Sequence, residues 1–336
     1  MSHEYVNLYD ALTHMSGIEA GFFGLDEALR PERRDAVNER LIRLVQETQP
    51  DVFFCQLFTE ELKKETIEFI TRQTRTQTIN WFGDDHWRFH IFSKQWAPHF
   101  TAVCTTDVTA LPLYQKLGVT AVATQWGVNQ HRYYPVPATA EFEVASSVTF
   151  VGQKYGMRGR YYEDLRRASI PVRFFGSGWS GGTIGFEHMQ SVFSASAVNL
   201  NFTESPHGQF AERIKLLSRF VVRRELGRWR VNLGHMRDTA RAMPGYQRRQ
   251  IKARIFEILG CGGFLLTGDA EHLGAYYEPG VEIAVFKNGA DLAEQCRYFL
   301  NHPELRDRMA RAGYERTLRE HTYEQRFRAI FSAVVH

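Results

Sequence analysis

The chain has 336 residues, 43% of them hydrophobic and 24% charged, with a formal net charge of +3. This length exceeds one ordinary hydrophobic core, so two domains are expected. The composition excludes a disordered chain, and apolar runs such as "VFFC" and "FLL" are far shorter than the roughly 20 residues of a membrane span.

The first half of the chain alternates short β-rich runs with helical patterns, which is typical of parallel α/β domains. A helix is predicted at the start, over 6–15, and further helices over 34–48, 60–72 and 108–117. Strands are predicted over 17–25, 50–58, 77–83, 100–106 and 119–126.

A segment rich in proline and small residues, 133–147, reads as a linker, and the same alternation then begins again. Strands are predicted over 147–152, 171–179, 195–202, 263–267 and 282–286, and helices over 159–168, 250–259 and from 289 to the end. The pattern predicts two βαβ domains on either side of a cleft.

The four cysteines lie far apart, without a C-x-x-C pair or a histidine at ligand spacing. This arrangement predicts buried thiols in a reducing cytoplasm and no metal site. The first ten residues, MSHEYVNLYD, contain no apolar signal core, which also favours a cytoplasmic location.

Glu257 is surrounded by apolar residues in a segment with helical periodicity. A helix that is apolar nearly all round is buried, and a buried carboxylate needs partners. Only Gln250, Arg254 and Glu257 form a polar stripe at helical spacing. Two interpretations stay open: Arg254 and Glu257 pair with each other, or the stripe faces a polar ligand.

Several segments of the second half resemble the C-terminal signature of the group 1 glycosyltransferases of GT-B fold, in particular their spore-maturation (CgeB-like) branch. They read "RIFEILGCGGFLLT", "LGAYYEPGVEIAVFKNGADL" and "RYFLNHPELRDRMARAGYERTLREHTYEQR". The first half adds "INWFGDDHWRF", "AVCTTD" and "ATQWGVNQHRYYP". The resemblance implies two Rossmann-like domains facing each other across a cleft.

The resemblance also implies an activity, the metal-independent transfer of a sugar from a nucleoside diphosphate sugar, of UDP or GDP type, to an acceptor hydroxyl. The domain limits that go with it are 1–137, on the acceptor side, and 138–319, which binds the nucleotide sugar. A basic helical insertion is expected over about 204–249, and the last helix, 320–336, is expected to cross back to the first domain.

For the donor site, the resemblance implies that Glu257 accepts hydrogen bonds from the ribose hydroxyls, with Arg254 beside it. Cations in the loop after the first strand of the second domain would stabilise the leaving diphosphate. The predicted donor-site residues are Gly152, Lys154, Arg158, Gly176, Ser177, Gly178, Arg254, Glu257, Gly262 and Gly263. The glycines are expected to let the backbone approach the ligand.

Two carboxylates and a histidine, Asp84, Asp85 and His86, follow directly after a predicted strand. A general base or an acceptor-binding group is expected at such a position. The alternative is that the acidic pair caps the next helix or pairs with Arg88.

The sequence departs from the family pattern in two places. Arg249 stands where many retaining members have a second glutamate, and no apolar strand with a glycine loop opens the first domain. Two alternative functions stay open: a nucleotide-sugar epimerase, which can share this architecture, and a catalytically inactive binding protein derived from such an enzyme, which the two departures favour.

The segment 213–254 is strongly basic, with 13 Lys/Arg against 2 Asp/Glu. Ile214, Leu217 and Val221 lie at helical spacing within it, so a solvated helix with one apolar face is one interpretation. Contact with a membrane or an anionic acceptor is another, the acceptor being a glycan, a lipid-linked sugar or a protein. A nucleic-acid partner is the least favoured.

Overall fold

Parallel strands build two separate sheets, one in each of two units of the chain. The computed structural model describes residues 4–137, 147–204, 222–225, 228–231 and 233–335. Unit 1 comprises the described parts of 1–14, 126–214 and 247–325. Unit 2 comprises the described parts of 15–125, 215–246 and 326–336.

Strands and helices alternate through most of the described chain. The strands are β1 (Val52–Cys55), β2 (Gln77–Phe82), β3 (Ala102–Thr105), β4 (Ala121–Ala123), β5 (Val148–Val151), β6 (Val172–Phe175), β7 (Val198–Asn201), β8 (Val222–Glu225), β9 (Arg228–Val231), β10 (Leu265–Gly268) and β11 (Ala284–Phe286). The α-helices are α1 (Asp10–Thr13), α2 (Pro31–Thr48), α3 (Lys64–Gln73), α4 (Asp85–Arg88), α5 (Lys94–Trp96), α6 (Leu111–Lys116), α7 (Arg158–Arg167), α8 (Phe186–Ala195), α9 (Leu233–Ala242), α10 (Ala253–Gly260), α11 (Gly289–Leu300), α12 (Pro303–Glu320) and α13 (Tyr323–Val334). A π-helical turn, Tyr5–Tyr9, precedes α1.

The sheet of unit 2 has four parallel strands in the order β1-β2-β3-β4. Strand β3 is buried along its whole length, as expected for a strand covered on both faces. Helix α2 starts with Pro31 at its first turn, where a missing N–H costs nothing, and ends at Gln49 in the left-handed conformation with φ of 45°. Aliphatic and aromatic side chains from α2, α3 and the strands form one core.

The sheet of unit 1 has five parallel strands in the order β6-β5-β7-β10-β11. Every residue of β5, β7 and β10 is buried, because helices pack on both faces. The chain moves from β5 outward to β6 and then returns past β5 to β7. This reversal places a crevice at the carboxyl ends of β5 and β7, the position where open α/β sheets bind ligands.

The N-terminal helical segment belongs to unit 1 because polar side chains hold it there. The buried Asn129 donates hydrogen bonds from Nδ2 to the carbonyl oxygen of Val6 and to Asp10 Oδ2, both at 2.7 Å. Arg132 Nε donates to Asp10 Oδ1 at 3.0 Å. The sequence placed 1–137 in one domain, whereas the structure groups 1–14 and 126–137 with unit 1.

Most of the predicted elements are confirmed, and the exceptions have local causes. The strand predicted over 17–25 is wrong: this segment contains Gly17, Gly21 and Gly24 and forms no strand, because glycine weakens extended structure. Helix α8 was not predicted.

The helix predicted through the basic segment is wrong over 222–225 and 228–231, where β8 and β9 pair antiparallel. The pairing runs from Val222 with Val231 to Glu225 with Arg228. Residues 213–221, including Ile214, Leu217 and Val221, lie outside the described residues. None of the described helices combines the length and the hydropathy needed to cross a bilayer.

Candidate functional site

The loops after β5 and β6 lie against each other at the crevice edge of unit 1. Lys154 N donates to the carbonyl oxygen of Ser177 at 2.9 Å, and Gly152 N donates to that of Phe175 at 2.9 Å. Trp179 Nε1 donates to the carbonyl oxygen of Gly152 at 2.8 Å. These bonds join two predicted donor-site segments, 152–158 and 176–178, into one surface.

Glycine is required at 176 and 178 by this contact between the loops. Gly176 has φ of 121°, and a Cβ there would collide with the carbonyl oxygen of Gly152. Gly178 has φ of 86°, and its Cβ would lie 3.0 Å from Lys154 Cβ. The two glycines therefore fix the position of the Lys154 backbone, whether or not a ligand is bound.

Lys154 and Arg158, the two predicted phosphate-binding cations, differ in their surroundings. Lys154 is exposed, with Nζ 5.0 Å from the centre of the Trp179 ring. Arg158 is the first residue of α7 and only 8% exposed. Its guanidinium lies 3.8 Å from the centre of the Tyr155 ring and 5.0 Å from that of Phe150.

The charge of Arg158 is only partly compensated. Its Nη1 donates to the carbonyl oxygen of Gln153 at 2.8 Å, while Nε is buried without a hydrogen-bond partner. No carboxylate of the described residues lies within 4 Å of it. Burial lowers the pKa of Arg158, Tyr155 and Glu204 act in the opposite direction, and Arg254 adds to the lowering. A buried guanidinium in this condition favours an incoming anion.

The polar stripe of α10 contains the predicted ion pair. Arg254 Nη1 donates to Glu257 Oε2 at 2.6 Å, and Glu257 is 2% exposed. Arg254 also lies over the Phe193 ring, 5.3 Å from its centre. The pairing of the two residues is thus confirmed, while binding of a ribose by Glu257 stays a prediction.

Gly262 and Gly263 have packing reasons of their own. Gly262 has φ of 68°, and a Cβ there would lie 3.2 Å from Pro135 Cγ. A Cβ on Gly263 would collide with the carbonyl oxygen of Phe193 and would lie 2.7 Å from Asn199 Nδ2. Close contact with protein atoms already requires both glycines, and their role toward a ligand stays a prediction.

The acidic cluster of unit 2 lies at the carboxyl end of β2, as predicted, but its members have different surroundings. Asp84 and His86 are partly exposed. Asp85 is 3% exposed and accepts a hydrogen bond of 2.6 Å from Tyr114 Oη. Burial raises the pKa of Asp85 to about 6, against the lowering effect of its hydrogen bonds. Asp85 is thus enclosed by protein atoms, and a catalytic or acceptor-binding role for Asp84, Asp85 or His86 stays a prediction.

Arg88 does not pair with the acidic cluster. Its guanidinium donates to the carbonyl oxygen of Phe58 and lies over the rings of Phe58 and Phe92, at 4.8 and 4.4 Å from their centres. Burial lowers the pKa of Arg88, and the carboxylates of Asp84 and Glu61 oppose this effect.

The described end of the basic segment packs on α4 in unit 2. A Cβ on Gly245 would collide with the carbonyl oxygen of His86. Lys94 Nζ and Asp238 Oδ1 are 2.5 Å apart. This part of the segment therefore positions the His86 backbone, a structural role that sequence patterns did not indicate.

Glu204 was not among the predicted site residues. It follows β7 by three residues and accepts a hydrogen bond of 2.9 Å at Oε1 from Tyr161 Oη. The available signal was an acidic residue directly after a buried strand, in "AVNLNFTE".

Comparisons with known proteins concern the fold and the C-terminal part of the sequence. Residues 217–332 match a family described as glycosyl transferase-like. Curated protein sequences give no match. Sucrose-phosphate synthase from Thermosynechococcus elongatus is similar in structure, with a TM-score of 0.58, 12% identity, and coverage of 90% of this chain and 80% of that protein.

Two further solved structures are similar at low identity. HepE from Anabaena, in complex with UDP and glucose, gives a TM-score of 0.56 at 11% identity and covers 94% of this chain and 84% of its own. A glycosyltransferase from Rickettsia africae gives 0.55 at 8% identity, with 90% and 81% covered. The protein thus has the α/β GT-B fold, as predicted. Its C-terminal part carries a glycosyltransferase-like sequence.

Proposed function

We propose that the protein is a glycosyltransferase that transfers a sugar from a nucleoside diphosphate sugar to an acceptor hydroxyl. The buried and incompletely compensated guanidinium of Arg158, at the carboxyl edge of the unit 1 sheet, is the observation that carries this proposal. The family match of residues 217–332 and the shared GT-B fold support it.

In this reaction the bond between the anomeric carbon and the diphosphate oxygen breaks, and the diphosphate leaves with the electron pair. The acceptor oxygen bonds to the anomeric carbon and loses its proton. Arg158, Lys154 and the start of the ten-residue helix α7 offset the charge that develops on the diphosphate. The proposal needs no metal ion for this step.

For the nucleotide, the proposal assigns ribose binding to Glu257, held in a fixed orientation by Arg254. The loop 176–178 lies next to Lys154 and contributes backbone groups to the base or the ribose. The solved HepE structures contain UDP or UDP-glucose, which favours a UDP-type donor here. Membership in the CgeB-like branch is part of the same proposal.

For the acceptor, the proposal keeps Asp84 and His86 as candidates for proton removal, because both side chains are partly exposed. Asp85 is assigned a structural role, since its carboxylate is buried and bonded to Tyr114. The acceptor is a glycan, a lipid-linked sugar or a protein.

The experiment measures thermal stabilisation of the protein by UDP, GDP, ADP, dTDP and their sugars, followed by assays for sugar transfer. A ligand at 100 times its dissociation constant stabilises the folded state by about 2.7 kcal/mol. Arg158→Gln should weaken nucleotide binding by about 1.5–3 kcal/mol, because a charged hydrogen-bonding group is lost. Arg167→Gln, an exposed cation at the other end of α7, is the matched control and should have no effect.

Absence of stabilisation by every nucleotide would contradict the proposal. Binding without transfer to any acceptor would indicate an inactive binding protein. Conversion of the donor to its epimer, without an acceptor, would indicate an epimerase.

A further inference from the structure

One carboxylate oxygen at the crevice of unit 1 has no hydrogen-bond donor. Glu204 accepts from Tyr161 at Oε1, while Oε2 is buried and no donor of the described residues reaches it. A buried carboxylate oxygen without a donor is costly, so such a group favours a partner from outside the described residues.

The groups around Glu204 restrict the chemistry of that partner. Arg158 lies within electrostatic range of the carboxylate, and both Glu204 and Arg249 act on the charge state of Tyr161. Burial, followed by the charge of Glu204, raises the pKa of Tyr161 to about 12. Tyr161 is therefore a neutral donor, fully used by Oε1.

The missing partner has to donate a hydrogen bond. Phosphate oxygens accept hydrogen bonds and carry negative charge, so a carboxylate does not bind them directly. Sugar hydroxyls donate, and hydrogen bonds from a hydroxyl to a carboxylate are among the strong ones.

We propose that Glu204 binds a hydroxyl of the transferred sugar through Oε2 and so selects the sugar of the donor. This inference rests on the proposed function, in which Arg158 binds the diphosphate. The diphosphate links the ribose to the sugar, and Glu257 is assigned to the ribose. Arg158 lies within electrostatic range of both Arg254, the partner of Glu257, and Glu204. Glu204 is thus the carboxylate left for the sugar.

A purely structural role, in which Glu204 only orients Tyr161, makes a different prediction. The Tyr161 ring is stacked on Phe202, with ring centres 5.2 Å apart and planes 17° apart, so the ring stays in place without its hydroxyl. Tyr161→Phe therefore removes only the hydrogen bond to Oε1.

The experiment compares dissociation constants for nucleotides and nucleotide sugars by calorimetry. The probes are UDP with UDP-glucose and GDP with GDP-mannose, measured on the unmodified protein, Glu204→Gln and Tyr161→Phe. Glu204→Gln should raise the dissociation constant of the nucleotide sugar about tenfold and change that of the matching nucleotide by less than about twofold. Tyr161→Phe should leave both within about twofold. Circular dichroism and thermal melting verify that each variant is folded.

Three results would overturn the assignment. Equal weakening of nucleotide and nucleotide sugar by Glu204→Gln would place Glu204 at the nucleotide. If Tyr161→Phe weakened binding of the nucleotide sugar as much as Glu204→Gln does, the role of Glu204 would be structural. If Glu204→Gln left both affinities unchanged, Glu204 would not belong to the binding site. Failure of the unmodified protein to bind any probe would refute the proposed function itself, and this inference with it.

Discussion

The acids that follow the carboxyl ends of β7 and β2 have similar hydrogen bonds but differ in exposure. In unit 1, Glu204 accepts a hydrogen bond from Tyr161 at Oε1, and its Oε2 has no donor among the described residues. In unit 2, Asp85 accepts a hydrogen bond from Tyr114 at Oδ2, and its Oδ1 likewise has no partner among the described residues. Glu204 is partly exposed, whereas Asp85 is only 3% exposed, so a ligand can reach the first side chain more readily than the second. The exposure of the side chain, rather than its position relative to the sheet, distinguishes the two cases.

The largest effect is expected from Gly245→Ala, which would disrupt the packing of the basic segment on α4. The added Cβ collides with the backbone of His86, so we expect destabilisation of unit 2 by about 4 kcal/mol. Urea unfolding gives the size, and hydrogen exchange shows which unit is affected. Gly21→Ala, where a Cβ meets no atom within 4 Å, is the control in the same unit and should be nearly neutral.

In unit 1, Gly176→Ala separates the two loops of the donor site. We expect a loss of about 3 kcal/mol, from the strained φ of 121° and the collision with Gly152, together with weaker nucleotide binding. Gly182 also has a positive φ, of 66°, but its Cβ would meet nothing within 4 Å. Gly182→Ala should therefore cost only about 1 kcal/mol. Equal losses in both variants would contradict the importance of the loop contact.

The pH dependence of the free energy of unfolding tests whether the carboxyl group of Asp85 is buried inside unit 2. Its pKa of about 6 in the folded state lies above the ordinary value of 3.8. The protonated carboxyl group of Asp85 therefore contributes its full share to the free energy of unfolding below pH of about 4. This contribution is lost as the pH rises through 6. At about 1.4 kcal/mol for each pH unit, the loss amounts to about 3 kcal/mol.

Asp85→Asn removes this dependence, so the stability of the natural protein relative to the variant should fall by up to about 3 kcal/mol between pH 4 and 7. Unfolding by urea at a series of pH values measures it. Asp35→Asn, which removes an exposed carboxylate of the same unit, is the control. A flat difference for Asp85→Asn would show that its carboxylate is well solvated.

The smallest effect concerns the described charges of the basic segment. Arg248 and Glu271 form an ion pair in unit 1, with Nη2 and Oε2 2.5 Å apart, and both side chains are partly exposed. The coupling energy in a double-mutant cycle should be below about 1 kcal/mol and should decrease with added salt. A coupling energy of several kcal/mol would mean that the Arg248–Glu271 ion pair is shielded from solvent, as the carboxyl group of Asp85 is.

The sequence predicted the fold well, because buried parallel strands and amphipathic helices have strong patterns. It placed Arg158 and not Arg160 in the donor site, but it could not predict that Arg158 is buried. The structure buries Arg158 and leaves Arg160 exposed. This difference in burial arises from contacts with the rest of the chain, so the local sequence pattern does not predict it.

Long-range contacts also explain the other misses. Glu204 and Arg249 are 45 residues apart in the sequence, and both affect Tyr161 only because β7 and the segment before α10 lie at the same sheet edge. The helical spacing of Ile214, Leu217 and Val221 does not extend to the strands β8 and β9, whose pairing the sequence pattern did not indicate. The sequence singled out glycines such as Gly263 for contact with a ligand. In the structure, close packing against other protein atoms already requires glycine at this position.

The chain passes from one unit to the other five times, at about 14, 125, 214, 246 and 325. During synthesis on the ribosome, β1 to β4 are completed long before residues 326–336, yet Phe327 is fully buried and packs edge-on against Phe54 of β1, with ring centres 5.2 Å apart. Unit 2 therefore reaches its final core only when the last helix has emerged. A nascent chain has to keep this sheet from aggregating until then.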